Sequence, residues 1–255
     1  MIWPIPAAAF AGLLFGSFIN VVAYRVPRGE SVIHPASACP ACGAEIRRRD
    51  NVPVLSWVIL RGRCRDCGAA IAVRYPLVEA GTAALFGVLA AAIGAVFVLP
   101  AYLWFGGVVL TLTITDIDHK RIPNRILFPG IIAGAALLAA GGALDGDASA
   151  LLRSAGGSAA YFSFLLLVAV AARGGFGFGD VKLAILLGMF TAYVSWSALA
   201  VAVFAAFAFG GVFSVLLLVL GRAGRKDAIP FGPALVAGGL VGILWGDAIG
   251  AWYLG

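Results

Sequence analysis

Long apolar stretches separated by short basic loops constrain this chain more than any other feature. A helix needs about 20 mostly apolar residues to cross the hydrocarbon core of a bilayer. Eight stretches approach that length: Pro4–Tyr24, Leu77–Leu99, Tyr102–Thr115, Ile126–Leu144, Gly157–Ala172, Val181–Tyr193, Trp196–Leu220 and Ile229–Leu254. The third and sixth are short, and either tilt or merge with their neighbours. Only 12% of residues are charged and 62% are hydrophobic, whereas a soluble domain is roughly a quarter charged. So little polar surface cannot cover a water-soluble globule. The expected fold is an all-α polytopic membrane protein of about eight transmembrane helices, with abundant Gly and Ala allowing close helix approach. The first stretch has no basic region before it and no small-residue cleavage site, so it reads as a retained span.

Charge orients the chain. The basic balance (net +6) could suggest nucleic acid. In a membrane protein it reflects Lys and Arg held on the cytoplasmic side, so no nucleic-acid partner is expected. With the N-terminus outside and eight crossings, the inside segments are 24–76, 116–125, 173–182 and 221–228. They hold every Lys and Arg of the 18 except Arg153. The reverse orientation violates the positive-inside rule at every loop.

The sizeable polar piece, about residues 24–76, holds all four cysteines. Cys39-Pro40-Ala41-Cys42-Gly43 and Cys64-Arg65-Asp66-Cys67-Gly68 are two CxxCG turns with 21 residues between them. Each turn aims two thiolates at one point, and two turns supply the four tetrahedral ligands that zinc prefers. A cytoplasmic location disfavours stable disulfides. A pair of redox dithiols and a set of free thiols are the competing readings. The first lacks the strand–helix context of a thioredoxin-like motif. With all four positions filled, zinc would be structural, and its binding would add folding free energy to a small insert.

Ionisable residues within or beside apolar spans are costly and mark function by default. Of the twelve acidic residues, Asp145, Asp147 and Asp247 fall on the outer side and Glu30, Glu45, Asp50, Asp66 and Asp227 in inside loops. These eight read as solvated. Four others stand out: Glu79, Asp116, Asp118 and Asp180. Asp116 ends the third stretch and Asp180 opens the sixth, both at the inner face. Two carboxylates at equal depth on different helices can share a proton, one activating a water while the other protonates a carbonyl. Gly177 and Gly179, before Asp180, suit a sharp turn or a close backbone approach. The bland readings are a helix end for Asp116 and an N-cap for Asp180. A cation-coupled transporter would use the same carboxylates, and a non-enzymatic assembly factor would not need them. Asp118 reads as support for Asp116 or as a solvated residue, and Glu79 as a partner of a nearby Arg.

Taken in order, these motifs resemble the type IV prepilin peptidases, the bifunctional leader peptidase and N-methyltransferase family of bacterial inner membranes. The resemblance runs through Gly16-Ser17-Phe18-Ile19-Asn20-Val21, Arg25-Val26-Pro27, both CxxC pairs and Asp50–Trp57. It continues through Arg61-Gly62-Arg63-Cys64, Arg74–Glu79, Asp116 to Asn124, the GxGD at Gly177–Asp180, and Ile229–Pro233. It implies that Asp116 and Asp180 are catalytic, with Gly177 and Gly179 supporting Asp180 in the GxGD, and it favours Asp116 over Asp118, which stays a candidate for support. It also implies cleavage of a prepilin or pseudopilin leader at the cytoplasmic face, and methylation of the new N-terminus by S-adenosylmethionine. No Rossmann Gly-rich loop is present. The resemblance places methyl transfer at the cysteine insert and its flanks, with Gly62, Arg63 and Glu79 as candidates for cofactor or substrate contact. The implied organisation is a first span (1–24), a zinc-knuckle insert (25–76) and a membrane peptidase portion (77–255). The N-terminus is expected in the periplasm, and the expected partners are prepilins and membrane lipids.

Overall fold

The computed structural model describes residues 4–172, 177–221 and 230–254. Arg173, Arg222, Arg225, Lys226, Asp227 and Ile229 lie outside the described residues. Among the described residues, nine α-helices follow one another: α1 (Pro4–Arg25), α2 (Leu55–Ile59), α3 (Arg74–Ile93), α4 (Leu99–His119), α5 (Asn124–Leu144), α6 (Ala148–Ala171), α7 (Phe178–Val194), α8 (Trp196–Val219) and α9 (Gly232–Leu254). Among the described residues there are no β-strands, only two isolated bridges. Among the described residues, seven helices are long and apolar enough to cross a bilayer: α1, α3, α4, α5, α6, α8 and α9. The eighth expected crossing, α7, has 17 residues. It is also the helix most enclosed by protein. Nearly every position from Asp180 to Tyr193 is buried, as expected of a helix apolar on all sides and packed at a core.

Contacts divide the chain into Met1–Ala95 and Val96–Gly255. In the first unit α1 lies along α3. A Cβ added at Gly12 would sit 2.6 Å from the Ala83 Cα, and one at Gly16 2.6 Å from the Glu79 Cα. These glycines, four apart, let two backbones meet directly. Helix α3, which the sequence reading groups with residues 77–255, thus packs with α1 and the cysteine insert.

In the second unit α7 contacts α4, α5, α6, α8 and α9. Phe105 of α4 stacks on Phe190 of α7 with ring centroids 4.6 Å apart. The buried Tyr102 hydroxyl donates to the Phe190 carbonyl at 3.0 Å.

The structure corrects two expectations here. Helix α6 begins at Ala148 rather than near Gly157, so it carries Arg153 within its second turn. The outer carboxylates are also not simply solvated. Asp147 caps α6 by accepting from the Ala150 N–H at 2.9 Å, and this donor holds its carboxyl below the ordinary range. Asp145 accepts from the N–H groups of Phe97 and Val98, each at 3.0 Å. Asp247 accepts from Ser195, which caps α8 through the Ala198 N–H. Arg153 donates to the carbonyls of Ala192 (3.0 Å), Tyr193 (2.7 Å) and Val194 (3.2 Å). The one cation outside the basic segments therefore caps the C-terminus of α7, where a positive charge complements the helix dipole.

Candidate active site

Three helix ends meet in the second unit: the C-terminus of α4 and the N-termini of α7 and α9. Asp116 lies in the last turn of α4 and is 5% exposed, and Asp180 lies in the first turn of α7 and is 8% exposed. The charge of Asp116 reaches the Asp180 carboxylate. Asp116 does not merely end a helix. Its Oδ2 accepts the N–H of Gly232, the first residue of α9, at 3.1 Å. The free N–H groups and positive dipole end of a helix suit an anion at that position. Asp180 is not an N-cap, because α7 begins at Phe178 and Gly177 occupies the cap position.

The glycines act through space rather than through unusual dihedrals. Gly177 has φ −70°, which any residue adopts. A Cβ there would lie 3.0 Å from the Asp180 Oδ2, one at Gly179 would lie 3.2 Å from the Ile122 Cβ, and one at Gly232 would lie 2.7 Å from the Asp116 Oδ2. Side chains are thus kept away from both carboxylates. Lys182, one turn into α7, donates to the Asn124 Oδ1 at the start of α5 at 2.6 Å. This ties the segment after Asp116 to the segment carrying Asp180. Nothing in the spacing marks that pair or singles out Gly232. Asp118 is exposed on α4. Two residues beyond Asp116, it projects about 200° round the helix from it.

In the first unit the four cysteine sulfurs all lie within 4.8 Å of one another, with Cys39 and Cys67 Sγ 3.8 Å apart. Four thiolates at about 2.3 Å from a zinc ion stand about 3.8 Å apart, so the cluster fits that metal. The two turns are alike. Cys39 N–H donates to Ala44 and Gly43 N–H to Cys39, and Cys64 N–H donates to Ala69 and Gly68 N–H to Cys64, all at 2.8–2.9 Å. Backbone N–H groups of Cys42 and Ala41 pull the Cys39 thiol down to about 7. At Cys67 the Ala69 N–H favours the thiolate, but the thiols of Cys42, Cys64 and Cys39, with desolvation, push it up to about 12. Four thiols this close cannot all ionise without a cation among them. Asp50 and Asp66 are not simply solvated either. Asp50 pairs with Arg65 at 2.6 Å and Asp66 with Arg47 at 2.7 Å. The Arg65 guanidinium holds the Asp50 carboxyl below its ordinary range.

The insert is anchored at its root. Glu79 Oε2 accepts the Val54 N–H at 2.6 Å, and Ser17 also hydrogen-bonds to this carboxylate. Val54 has φ +60°, a strained value for a β-branched residue. Gly62 has φ +66° and lies under the Trp57 ring, 2.9 Å from where a Cβ would stand. The Trp57 indole N–H donates to the Ile71 carbonyl at 3.1 Å. Arg63 is exposed. Of the three methyl-transfer candidates, Gly62 and Glu79 are engaged within the insert and Arg63 projects from it.

Fold and site together define a polytopic membrane protein with paired buried carboxylates at one helical end and a four-thiol insert. Comparison with known proteins makes this specific. The family described as "Bacterial Peptidase A24 N-terminal domain" matches residues 10–93, and "Type IV leader peptidase family" matches residues 103–215. The chain is 35% identical to a "Prepilin leader peptidase/N-methyltransferase" of Pseudomonas aeruginosa, over 95% of this chain and 91% of the relative. It is 34% identical to proteins of the same description from Bacillus subtilis, covering 95% of each chain, and from Aeromonas salmonicida, covering 95% and 91%. No solved structure matches the chain. The chain belongs to the type IV leader peptidase family.

Proposed function

We propose that this protein cuts the leader from type IV prepilins or pseudopilins with Asp116 and Asp180 as its catalytic pair, and then N-methylates the exposed residue. The observation that carries the reading is a pair of buried carboxylates on different helices, Asp116 bonded to the α9 N-terminus and Asp180 in the first turn of α7 within reach of the Asp116 charge. One ionised carboxylate takes a proton from water as the water oxygen attacks the scissile carbonyl. The other, protonated, gives its proton to the carbonyl oxygen. Collapse of the tetrahedral intermediate breaks the C–N bond. The amine leaves with a proton from the pair, and the starting protonation is restored. The Gly232 N–H holds one Asp116 oxygen in place throughout.

The cysteine insert serves the second reaction. Cys39, Cys42, Cys64 and Cys67 hold a structural zinc ion that fixes the two turns relative to each other. S-adenosylmethionine supplies an electrophilic methyl group that the new amine takes up as the sulfonium bond breaks. Glu79 and Gly62 shape the insert from within, and Arg63 is available to meet cofactor or leader. The site faces the cytoplasm of the inner membrane, and the N-terminus faces the periplasm, because the cations gather on the side of Asp116 and Asp180. The relatives named above are peptidases, which favours cleavage over a cation-coupled transporter built on the same carboxylates.

Purified protein incubated with a prepilin and labelled S-adenosylmethionine, followed by mass spectrometry, reports both steps. Asp116→Asn and Asp180→Asn are each expected to insert normally and leave the leader uncut. Cleavage at the wild-type rate by either variant overturns the assignment.

A further inference from the structure

Among the described residues, one buried side-chain polar atom lacks a hydrogen-bond partner: the Tyr161 hydroxyl on α6. Tyr161 is 1% exposed. Orphaned buried donors are rare and call for a physical explanation. The other buried hydroxyls of α6 are used. Ser154 donates to the Met189 carbonyl at 2.8 Å, and the half-buried Ser158 to the Ile185 carbonyl at 2.9 Å. These two bonds also set the register of α6 against α7. Four residues further along α6 corresponds to about four residues back along α7, so Tyr161 stands opposite the first turns of α7. The Asp180 carboxylate lies there, close enough for its charge to act on the Tyr161 hydroxyl.

We propose that Tyr161 is a positioning residue for Asp180: its hydroxyl is a donor held without a partner until substrate and water enter, when it hydrogen-bonds to the Asp180 carboxylate directly or through one water. A donor aimed at a carboxylate favours the ionised form and fixes the oxygen that moves the proton. A tyrosine buried only for packing has no use for its hydroxyl, and phenylalanine fills the same volume without leaving a polar atom unsatisfied. Among the described residues, the other groups near Asp180 are engaged elsewhere or carry no donor. Asp116, from α4, is a second carboxylate. Lys182, on α7 itself, is directed to Asn124 of α5. The Gly232 N–H at the start of α9 is taken by Asp116. The carboxylate of Asp247, also on α9, is engaged with Ser195 at the other end of α7, and the described part of α8 contains no ionisable side chain.

The inference rests on the two-aspartate reading, and the test separates the two. Tyr161→Phe and Asp180→Asn are compared in the full-length protein, with a prepilin as substrate, across pH. Tyr161→Phe is expected to melt at or above the wild-type temperature. Its kcat should fall about 10- to 100-fold, the contribution of one hydrogen bond to a charged group, with KM little changed. Loss of the donor should raise the pKa of the pair, so the activity profile should move to higher pH. Unchanged kcat and pH profile in Tyr161→Phe, with Asp180→Asn inactive, overturns the inference and leaves the pair intact. Active Asp180→Asn overturns both. Tyr161→Leu, which keeps an apolar side chain but has no ring, distinguishes packing from donation. If Leu lowers kcat and Phe does not, the hydroxyl has no role.

Discussion

Gly232→Ala isolates the geometry at Asp116 from the carboxylate itself. The added Cβ would lie 2.7 Å from Oδ2 and 3.2 Å from Cγ of Asp116. Ordinary contact requires the carboxylate to retreat by about 0.6 Å or more. That motion also stretches the 3.1 Å bond from the Gly232 N–H beyond hydrogen-bonding range. A displacement of about 1 Å at a reacting group costs on the order of 100-fold in rate, so a loss of roughly 10- to 100-fold in kcat is expected. Stability should fall only modestly, because losing a hydrogen bond to a carboxylate, about 1.5–3 kcal/mol, is partly offset by the preference for Ala over Gly in a helix, up to about 1 kcal/mol. The assay is leader cleavage by gel shift and mass spectrometry, alongside a thermal melt in the same detergent. A variant that melts normally and cuts at the wild-type rate would show that the α9 N-terminus does not position Asp116.

Other perturbations probe separate parts of the molecule. Arg153→Ala strips a charged donor from three carbonyls at the end of α7 and should cost about 2–3 kcal/mol, read as a lower melting temperature with KM for prepilin unchanged. Metal analysis should find about one zinc per chain, absent from Cys39→Ser/Cys42→Ser. Because thiolates bind the metal, zinc should be released as pH falls and protons compete for the sulfurs. Asp50 is held below its ordinary range by Arg65. The support it gives the insert is therefore present above the unfolded carboxylate value and is lost as pH falls through the lower folded one. Limited proteolysis of the insert should show a new acid sensitivity below about pH 4 that Asp50→Asn abolishes by being equally sensitive at neutral pH.

The features legible in the sequence are those fixed by local spacing or by cost. Two CxxCG turns declare their geometry within five residues each, and the sulfurs converge as that spacing requires. Asp116 and Asp180 stand out because a carboxylate at the edge of an apolar run needs a reason to be there. Features set by distant partners were not legible. Gly232 matters through an oxygen 116 residues away, and although the resemblance runs through Ile229–Pro233, nothing there points to Asp116. The start of α6 is hidden because Ser149, Arg153 and Ser154 interrupt the apolar run, although α7 absorbs the polarity of Arg153 and Ser154 through its carbonyls. Tyr161 reads as core filling, since an aromatic residue in an apolar helix carries no sign that its hydroxyl lacks a partner.

The shortness of α7 bears on the chemistry. At 17 residues it spans about 25 Å, less than the roughly 30 Å of a hydrocarbon core. Its C-terminus is held by Arg153, a cation that belongs at the edge of the membrane rather than within it. From Val194 back to Asp180 is about 21 Å along the axis. If one end is held near an interface, the Asp180 carboxylate stops roughly 9 Å short of the opposite one. A longer helix would carry that carboxylate out into water, where two acids have little reason to share a proton. The shorter helix keeps it within reach of the Asp116 charge, beside the α9 N-terminus that donates to Asp116. On the proposed catalytic reading, the same recess would require the substrate to bring its scissile bond below the membrane surface in extended form. Inserting four residues within Gly188–Thr191 would move Asp180 by about 6 Å along the axis and turn it by only about 40°. It should abolish cleavage while methyl transfer to a pre-cut pilin persists, and retained cleavage would show that depth is not what the short helix provides.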